Sequence, residues 1–273
     1  ILCPNCRKLV SRDVERCPFC GIANPGAWWK NNPWTRGLFE AEQLVRIIIY
    51  VNIGMYVVSL LLHPRATNLS LNPFLLLSPA NRSLLLLGAT GTIPIDQLHR
   101  WWTLVSANYL HGGILHILFN MVAFSQLAPF VIQEFGVYRM FTIYTLGGII
   151  GFWVSYIAGV TLTIGASAAV CGLIGSALYF GKSRGGAYGQ SIYKQIGGWV
   201  VGLFLFGFLV PGINNWGHGG GICAGAGLAF LLGYHERKRE RFFHKLIAGG
   251  CAVLTLLVLI GAVIFSVYYR LLG

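Results

Sequence analysis

Carboxylates are scarce in this chain. Two aspartates, Asp13 and Asp96, and six glutamates, Glu15, Glu40, Glu42, Glu134, Glu236 and Glu240, supply all of its acid, and none falls inside the apolar spans read below. Three chemistries are thereby disfavoured. An aspartyl protease needs two carboxylates within the bilayer, a proton-coupled carrier usually keeps at least one there, and a Ser-His-Asp triad would lack its third member. Charge of either sign is thin: 10% of 273 residues against 55% hydrophobic, with a mean hydropathy of +0.65. Soluble domains balance these classes differently, so the chain reads as an all-α polytopic membrane protein. The first 43 residues are polar and cysteine-rich and do not resemble a cleavable signal.

What is present is a series of seven apolar spans, at about 44–62, 114–132, 140–160, 165–181, 196–213, 217–234 and 246–269, most with the length a crossing helix requires. The fourth is the shortest, so its first residues can lie below the outer surface. Basic residues gather in cytoplasmic loops. Arg7, Lys8, Arg12, Arg16, Lys30 and Arg36 precede the first span, Arg139 follows the second, Lys182, Arg184 and Lys194 follow the fourth, and Arg237, Lys238, Arg239, Arg241 and Lys245 follow the sixth. The loops at 159–164 and 211–216 carry no charge. This alternation predicts a cytoplasmic N-terminus and a C-terminus on the outer side. It accounts for the net charge of +12, so no nucleic acid partner is expected.

The N-terminus itself reads Cys3-Pro4-Asn5-Cys6, then Cys17-Pro18-Phe19-Cys20-Gly21. Two Cys-x-x-Cys knuckles supply four thiolates for a tetrahedral structural site, with zinc the expected ion. A disulfide framework is the competing reading, but the predicted topology puts the segment in a reducing compartment. The expected organisation is a zinc ribbon over 1–22, a Trp- and Pro-rich interfacial linker over 23–43 containing Trp28, Trp29 and Trp34, and a transmembrane domain over 44–273. The ribbon suits either a structural cap or a docking module for a protein partner. Cys171, Cys223 and Cys251 lie in apolar spans and read as packing residues. The loop from His63 to Gly113 is long and apolar. Its segments 73–77 and 84–87 are too short to cross and read as interfacial, with Trp101 and Trp102 as anchors.

Chemistry enters with polar groups inside the spans. Ser167 opens the fourth, His218 opens the sixth, and His116 and Asn120, four residues apart on one helix face, open the second. Any one of them alone is more often a helix-to-helix hydrogen bond. With the predicted topology, however, the second, fourth and sixth spans run in the same direction and all four groups fall near their outer ends. Without a carboxylate, what remains is a Ser-His dyad in which His218 takes the proton from Ser167 and returns it to the leaving amine. The Ser167 backbone N–H, His116 and Asn120 are candidate donors to the oxyanion. Gly219, Gly220, Gly221 and Gly225 would let the sixth helix approach the fourth, where Cys171, Gly172 and Gly175 are also small.

Four pieces in this order, Leu110-His111-Gly112-Gly113-Ile114-Leu115-His116 through Asn120, Gly165-Ala166-Ser167, His218-x-x-Gly221-x-x-x-Gly225 and the long first loop, resemble the rhomboid family of intramembrane serine proteases over roughly 40–270. The resemblance implies a six-helix bundle with one added C-terminal transmembrane helix, a dyad of Ser167 and His218, oxyanion support from His116 and Asn120, and helix packing at Gly165, Gly172, Gly221 and Gly225. It implies cleavage of transmembrane protein substrates near the outer face, often at small residues in a helix that unwinds easily, with no metal or ATP at the active site. Three positions depart from the family pattern. Ala168 follows the nucleophile where glycine is usual, Cys171 stands where many members have an aromatic, and Thr103 replaces the arginine that usually follows the tryptophans. The alternative function is a catalytically silent rhomboid-like module that binds membrane proteins. A channel or carrier has little support, because the span interiors hold no charge.

Overall fold

A helix made of Ser, Ala, Gly and Cys can be approached closely from every side, and such a helix lies at the middle of this protein. The structure, a computed structural model, describes residues 1–4, 6, 8–28, 41–64, 67–69, 76–210 and 212–272. The chain divides into two compact units, Ile1–Leu44 and Val45–Gly273.

In the first unit each cysteine knuckle is closed by one antiparallel bridge, Leu2 with Leu9 and Arg16 with Ala23. Cys3 N donates to Lys8 O and Cys17 N to Ile22 O, both at 2.9 Å. Gly21, at φ +73°, makes the turn after the second knuckle. Cys3, Val10 and Cys17 form the small buried core. The linker positions Trp29, Lys30, Pro33, Trp34, Arg36 and Glu40 lie outside the described residues, as do Arg7, Arg65 and 73–75 of the first loop.

The second unit is a helix bundle. Its elements are α1 (Ala41–Leu62), a strand pair β1 (Asn68–Leu69) and β2 (Leu76–Ser78), α2 (Asn81–Leu87), α3 (Thr103–Ser106), α4 (Ile114–Phe135), α5 (Val137–Ile157), α6 (Ser167–Arg184), α7 (Gly186–Leu209), α8 (Asn215–Leu232) and α9 (Phe242–Leu272). Five of them, α1, α4, α5, α7 and α9, are long and apolar enough to cross a membrane. Helices α6 and α8 have 18 residues each and pack against one another and against α5 at the centre. The apolar surface of α6 is spent almost wholly on the interior, whereas α8 exposes Trp216, Phe230 and Leu231 and α9 presents Leu254, Leu257 and Ile260 outward, as hydrocarbon contact requires.

Missing side chains bring α5, α6 and α8 together. A Cβ at Gly225 would collide with the Gly172 carbonyl, and one at Gly175 with Ile222 O. One at Gly147 would lie 3.1 Å from Gly172 Cα. Such close backbone approach is how helices gain dispersion contact inside a bilayer.

Arg139, Lys182, Arg184, Lys194 and Lys245, which the sequence assigns to loops, are in helices. Arg139 is in the first turn of α5 and fully buried. Its Nη2 donates to Lys238 O at 2.8 Å and its Nη1 to Phe135 O at 3.3 Å, while Glu240 Oε1 accepts from Tyr138 N and Arg139 N at 3.0 and 3.1 Å, closing the N-terminus of α5. The expected gap after the fourth span shrinks to Gly185, because Gly185 and Gly186, at φ +66° and +65°, reverse the chain at once. Lys194 therefore sits inside α7 on an exposed face, where its long stem can carry the ammonium to the interface. Two acids also lie in long helices: Glu42 in the first turn of α1, and Glu134 in the last turn of α4, where it accepts a hydrogen bond from Tyr188 at 3.0 Å.

The first loop is tied down at several points. Thr90 and Thr163 exchange backbone hydrogen bonds of 3.0 and 2.7 Å, and Tyr156 Oη donates to Asp96 Oδ1 at 2.8 Å. Thr103, buried, hydrogen-bonds Thr90 Oγ1 at 3.0 Å and donates to Arg100 O at 2.6 Å. Arg100 itself lies over the Phe265 ring of α9, 5.0 Å from its centroid.

Candidate active site

Ser167 is the first residue of α6, so its backbone N–H has no partner within the helix. The turn before it runs through Gly165 at φ +125°, a conformation that L side chains rarely adopt. Gly165 N donates to Ala107 O at 2.9 Å, which ties the turn before Ser167 to the first loop. Ser167 is partly exposed, whereas Ala166, Ala168 and Ala169 are buried.

His116 lies in the first turn of α4. Its Nδ1 accepts a hydrogen bond from Gly112 N at 3.2 Å. In the neutral ring an accepting Nδ1 leaves the proton on Nε2. That Nε2 faces Gly165: a Cβ there would sit 2.7 Å from His116 Nε2 and 3.6 Å from Ser167 Oγ. Gly165 thus keeps open a small space bordered by a serine hydroxyl and an imidazole N–H. One turn below, Asn120 Nδ2 donates to His116 O at 2.8 Å, holding the buried amide against the same turn.

His218 lies in the first turn of α8, 5% exposed, with its Nδ1 buried and unpartnered among the described residues. Its turn is seated against the first turn of α6. A Cβ at Gly221 would strike Ala168 O and lie 3.0 Å from Cys171 Cβ. On α5, a Cβ at Gly151 would lie 2.7 Å from Gly217 O, 3.1 Å from Ala168 Cβ and 3.1 Å from Gly221 N. The methyl of Ala168, where the sequence pattern led one to expect glycine, is therefore accommodated by the absence of a side chain at Gly151. Cys171 fills the space beside Gly221. Among the described residues no hydrogen bond joins Ser167 to His218.

His111, in the turn before α4, is fully buried with both ring nitrogens unpartnered among the described residues. Its ring meets that of His116 edge-on, with centroids 5.1 Å apart. A cavity of about 440 Å³ opens beside this group, lined by Ser78, Asn81, Leu84, Gly112, Leu162 and Ile164 among others.

The residues gathered at one end of three helices match a known family. The rhomboid domain model covers residues 98–235. The chain belongs to the rhomboid family. Its relatives include rhomboid protease GluP of Bacillus subtilis (strain 168), 31% identical over 171 residues, which are 63% of this chain and 32% of that protein. Putative rhomboid protease YdcA of the same organism is 33% identical over 143 residues, 52% of this chain and 70% of the relative. RHOMBOID-like protein 5 of Arabidopsis thaliana is 33% identical over 168 residues, 58% and 52% of the two chains. The chain thus spans about a third of GluP and about half of RHOMBOID-like protein 5.

One site element was not singled out from the rhomboid-like motifs. Asn214 precedes α8 as its N-cap and reaches both Ser155 and Thr163. Its signal was available, since an asparagine just before an apolar run is a helix-start residue.

In the first unit, Cys3 Sγ and Cys20 Sγ are 3.6 Å apart and Cys6 Sγ and Cys17 Sγ 3.7 Å, and all four sulfurs lie within 4.8 Å of one another. A tetrahedron of sulfurs about zinc has edges of about 3.8 Å, so the cluster fits a four-thiolate ion. The separations are too long for a disulfide bond, about 2.05 Å.

Proposed function

We propose that this protein is a serine endopeptidase that cleaves transmembrane segments of membrane proteins, with Ser167 as nucleophile and His218 as general base and acid. The observation that carries the reading is the space at Gly165, bordered by Ser167 Oγ and by the Nε2 of a histidine whose Nδ1 is already engaged. Membership of a family that includes proteins named rhomboid proteases supports it.

In the proposed reaction Ser167 Oγ attacks the scissile carbonyl carbon as its proton passes to His218. The tetrahedral oxyanion is held by the Ser167 backbone N–H and His116 Nε2–H, with the remaining N–H of the Asn120 amide as the third donor. Each such donor contributes a factor of roughly a hundred to a thousand in rate. Collapse breaks the C–N bond, and His218 returns the proton to the leaving nitrogen. Water then attacks the acyl-enzyme with His218 again as base, freeing the acid and Ser167. In apo structures the nucleophile–base contact is often long and tightens on substrate binding. The cavity beside Gly112 and Ile164 gives an unwound segment of substrate somewhere to lie.

Charge alternation supports a cytoplasmic N-terminus, an outer C-terminus and cleavage near the outer face of a lipid bilayer. The Cys3, Cys6, Cys17 and Cys20 cluster supports a structural zinc ribbon that offers a docking surface to a protein partner. Catalysis itself calls for no cofactor.

The test is cleavage of a reporter transmembrane substrate by purified protein. Ser167→Ala and His218→Ala are each expected to abolish it, and both should lose labelling by a fluorophosphonate that wild type shows. Cleavage that persists in Ser167→Ala overturns the dyad. A wild type that neither cleaves nor labels would favour the silent binding module.

A further inference from the structure

Among the described residues no side chain hydrogen-bonds the His218 ring to set its orientation. Among the described residues no carboxylate reaches the ring and Nδ1 is unpartnered, and its neighbours in its own helix are Gly217, Gly219, Gly220 and Gly221, which offer no side-chain packing. A base in a catalytic pair is normally oriented by a third group. Here that task falls to the main chain at the start of α8, which Gly217 and the three glycines after His218 leave intrinsically loose.

One side chain fixes that turn. Asn214 Oδ1 accepts from Gly217 N at 2.9 Å, and Asn214 O accepts from His218 N at 3.1 Å. Its Nδ2 donates twice, to Ser155 Oγ of α5 at 2.6 Å and to Thr163 Oγ1 at 3.0 Å. Ser155 is fully buried and Thr163 nearly so. Thr163 is paired through its backbone to Thr90 and lies four residues before Ser167. A single amide therefore joins the base-bearing turn, the helix against which it packs and the strand leading to the nucleophile. Both hydrogens and the oxygen of that amide are used.

We infer that Asn214 is a positioning residue for the dyad, setting the reach of His218 toward Ser167 by locking the first turn of α8 to Ser155 and Thr163. The inference rests on the dyad reading above. It is distinct from ordinary capping, which needs only the oxygen; the two donated bonds aim the cap at the nucleophile's own loop.

Steady-state cleavage by purified full-length protein tests it, with kcat and KM measured separately. Asn214→Ala is expected to lower kcat by about tenfold to thirtyfold with a smaller change in KM, because cap and cross-links are lost while the substrate cavity is reached only through Thr163, one of its lining residues. Asn214→Asp keeps the acceptor and can receive hydrogen bonds from the Ser155 and Thr163 hydroxyls, so it should return to within about threefold of wild type. Hydrogen exchange at the Gly217 and His218 amides should quicken in the alanine variant and not in the aspartate one. Should Asn214→Ala fail to fold, the Ser155→Ala/Thr163→Val pair carries the test, with an expected loss in kcat of about fivefold. Wild-type kcat in Asn214→Ala, or in that pair, overturns the inference while Ser167→Ala remains inactive. Undiminished cleavage by Ser167→Ala would instead remove the dyad reading and this inference with it.

Discussion

The contact between α6 and α8 predicts opposite signs for one substitution made two residues apart. At Gly225 an added methyl falls on the Gly172 main chain, overlapping its carbonyl and coming within 2.7 Å of its Cα. All of these are backbone atoms of the central helix, so no rotamer change relieves the clash, and α8 must shift. At Gly227 nothing lies within 4 Å. Alanine in a helix interior is favoured over glycine by about 1 kcal/mol, whereas forcing a methyl into a packed contact costs about 1–3 kcal/mol. Gly227→Ala should therefore stabilise the bundle modestly and Gly225→Ala destabilise it; the propensity gain is common to both, so the clash leaves them about 1–3 kcal/mol apart. Unfolding by SDS in mixed micelles, followed by circular dichroism, measures the separation. Because the shift also carries His218 away from the first turn of α6, Gly225→Ala should lose cleavage under conditions where it is still folded. A Gly225→Ala protein as stable and active as Gly227→Ala would refute the close approach.

Three other outcomes follow from local geometry. Gly165→Ala puts a Cβ 2.7 Å from His116 Nε2 at a φ that alanine resists, so kcat should fall by about a hundredfold, the scale of one oxyanion donor, with the melting of the other helices little changed. Cys17→Ser should cut bound zinc, read by atomic emission, from about one ion per chain to near none, and unfold the first unit without shifting the SDS midpoint of the bundle. Glu240→Ala should destabilise the protein by about 1 kcal/mol through loss of the α5 cap, whereas Glu240→Gln keeps an accepting oxygen. Burial pushes the Glu240 carboxyl above its ordinary range in spite of Arg139. Folding therefore takes up a proton at this position, and its contribution is full below about pH 4.3 and declines as pH rises through the folded pKa. Thermal melts across that range should show the slope in wild type and lose it in Glu240→Gln.

Much of the bundle was legible because its signals are local. Apolar length marks each helix, and the small residues from Ala166 to Gly175 mark the one that lies at the centre. The four-residue spacing of His116 and Asn120 placed both on one face, and the hydrogen bond between Asn120 and the His116 carbonyl follows from that spacing. Hydropathy could not tell an interrupted helix from a loop. Arg139 and Lys194 lower the local average and read as loop charges, although one donates to the nearby Phe135 carbonyl and the distant Lys238 carbonyl and the other rides an exposed helix face. The Thr90–Thr163 pairing joins residues that are neighbours only after the first loop has folded back, so no periodicity announces it. The role of Asn214 was hidden for a related reason: its cap is a local signal, but Ser155 and Thr163 are brought to it by α5.

Carboxylates occur only at the ends of the crossing helices among the described residues, Glu42 in α1 and Glu134 in α4, and this has a structural consequence beyond disfavouring a triad. A triad's acid holds its histidine through a side chain, and a scaffold can then tolerate some slack in the helix that carries the base. Without that acid, any error in the placement of α8 passes undamped to His218. The contacts that set the placement are the glycine approaches at Gly151, Gly172, Gly221 and Gly225 and the Asn214 cap, and every one of them is also a packing contact of the central helices. Stability and catalysis should therefore be tied at these positions more tightly than in a hydrolase with a third member. Substitutions on the outward faces of α7 and α9, such as Leu205 or Leu257, change exposed side chains away from the proposed dyad and should separate the two. A plot of cleavage rate against unfolding free energy would fall on one steep line for the first set and lie flat for the second.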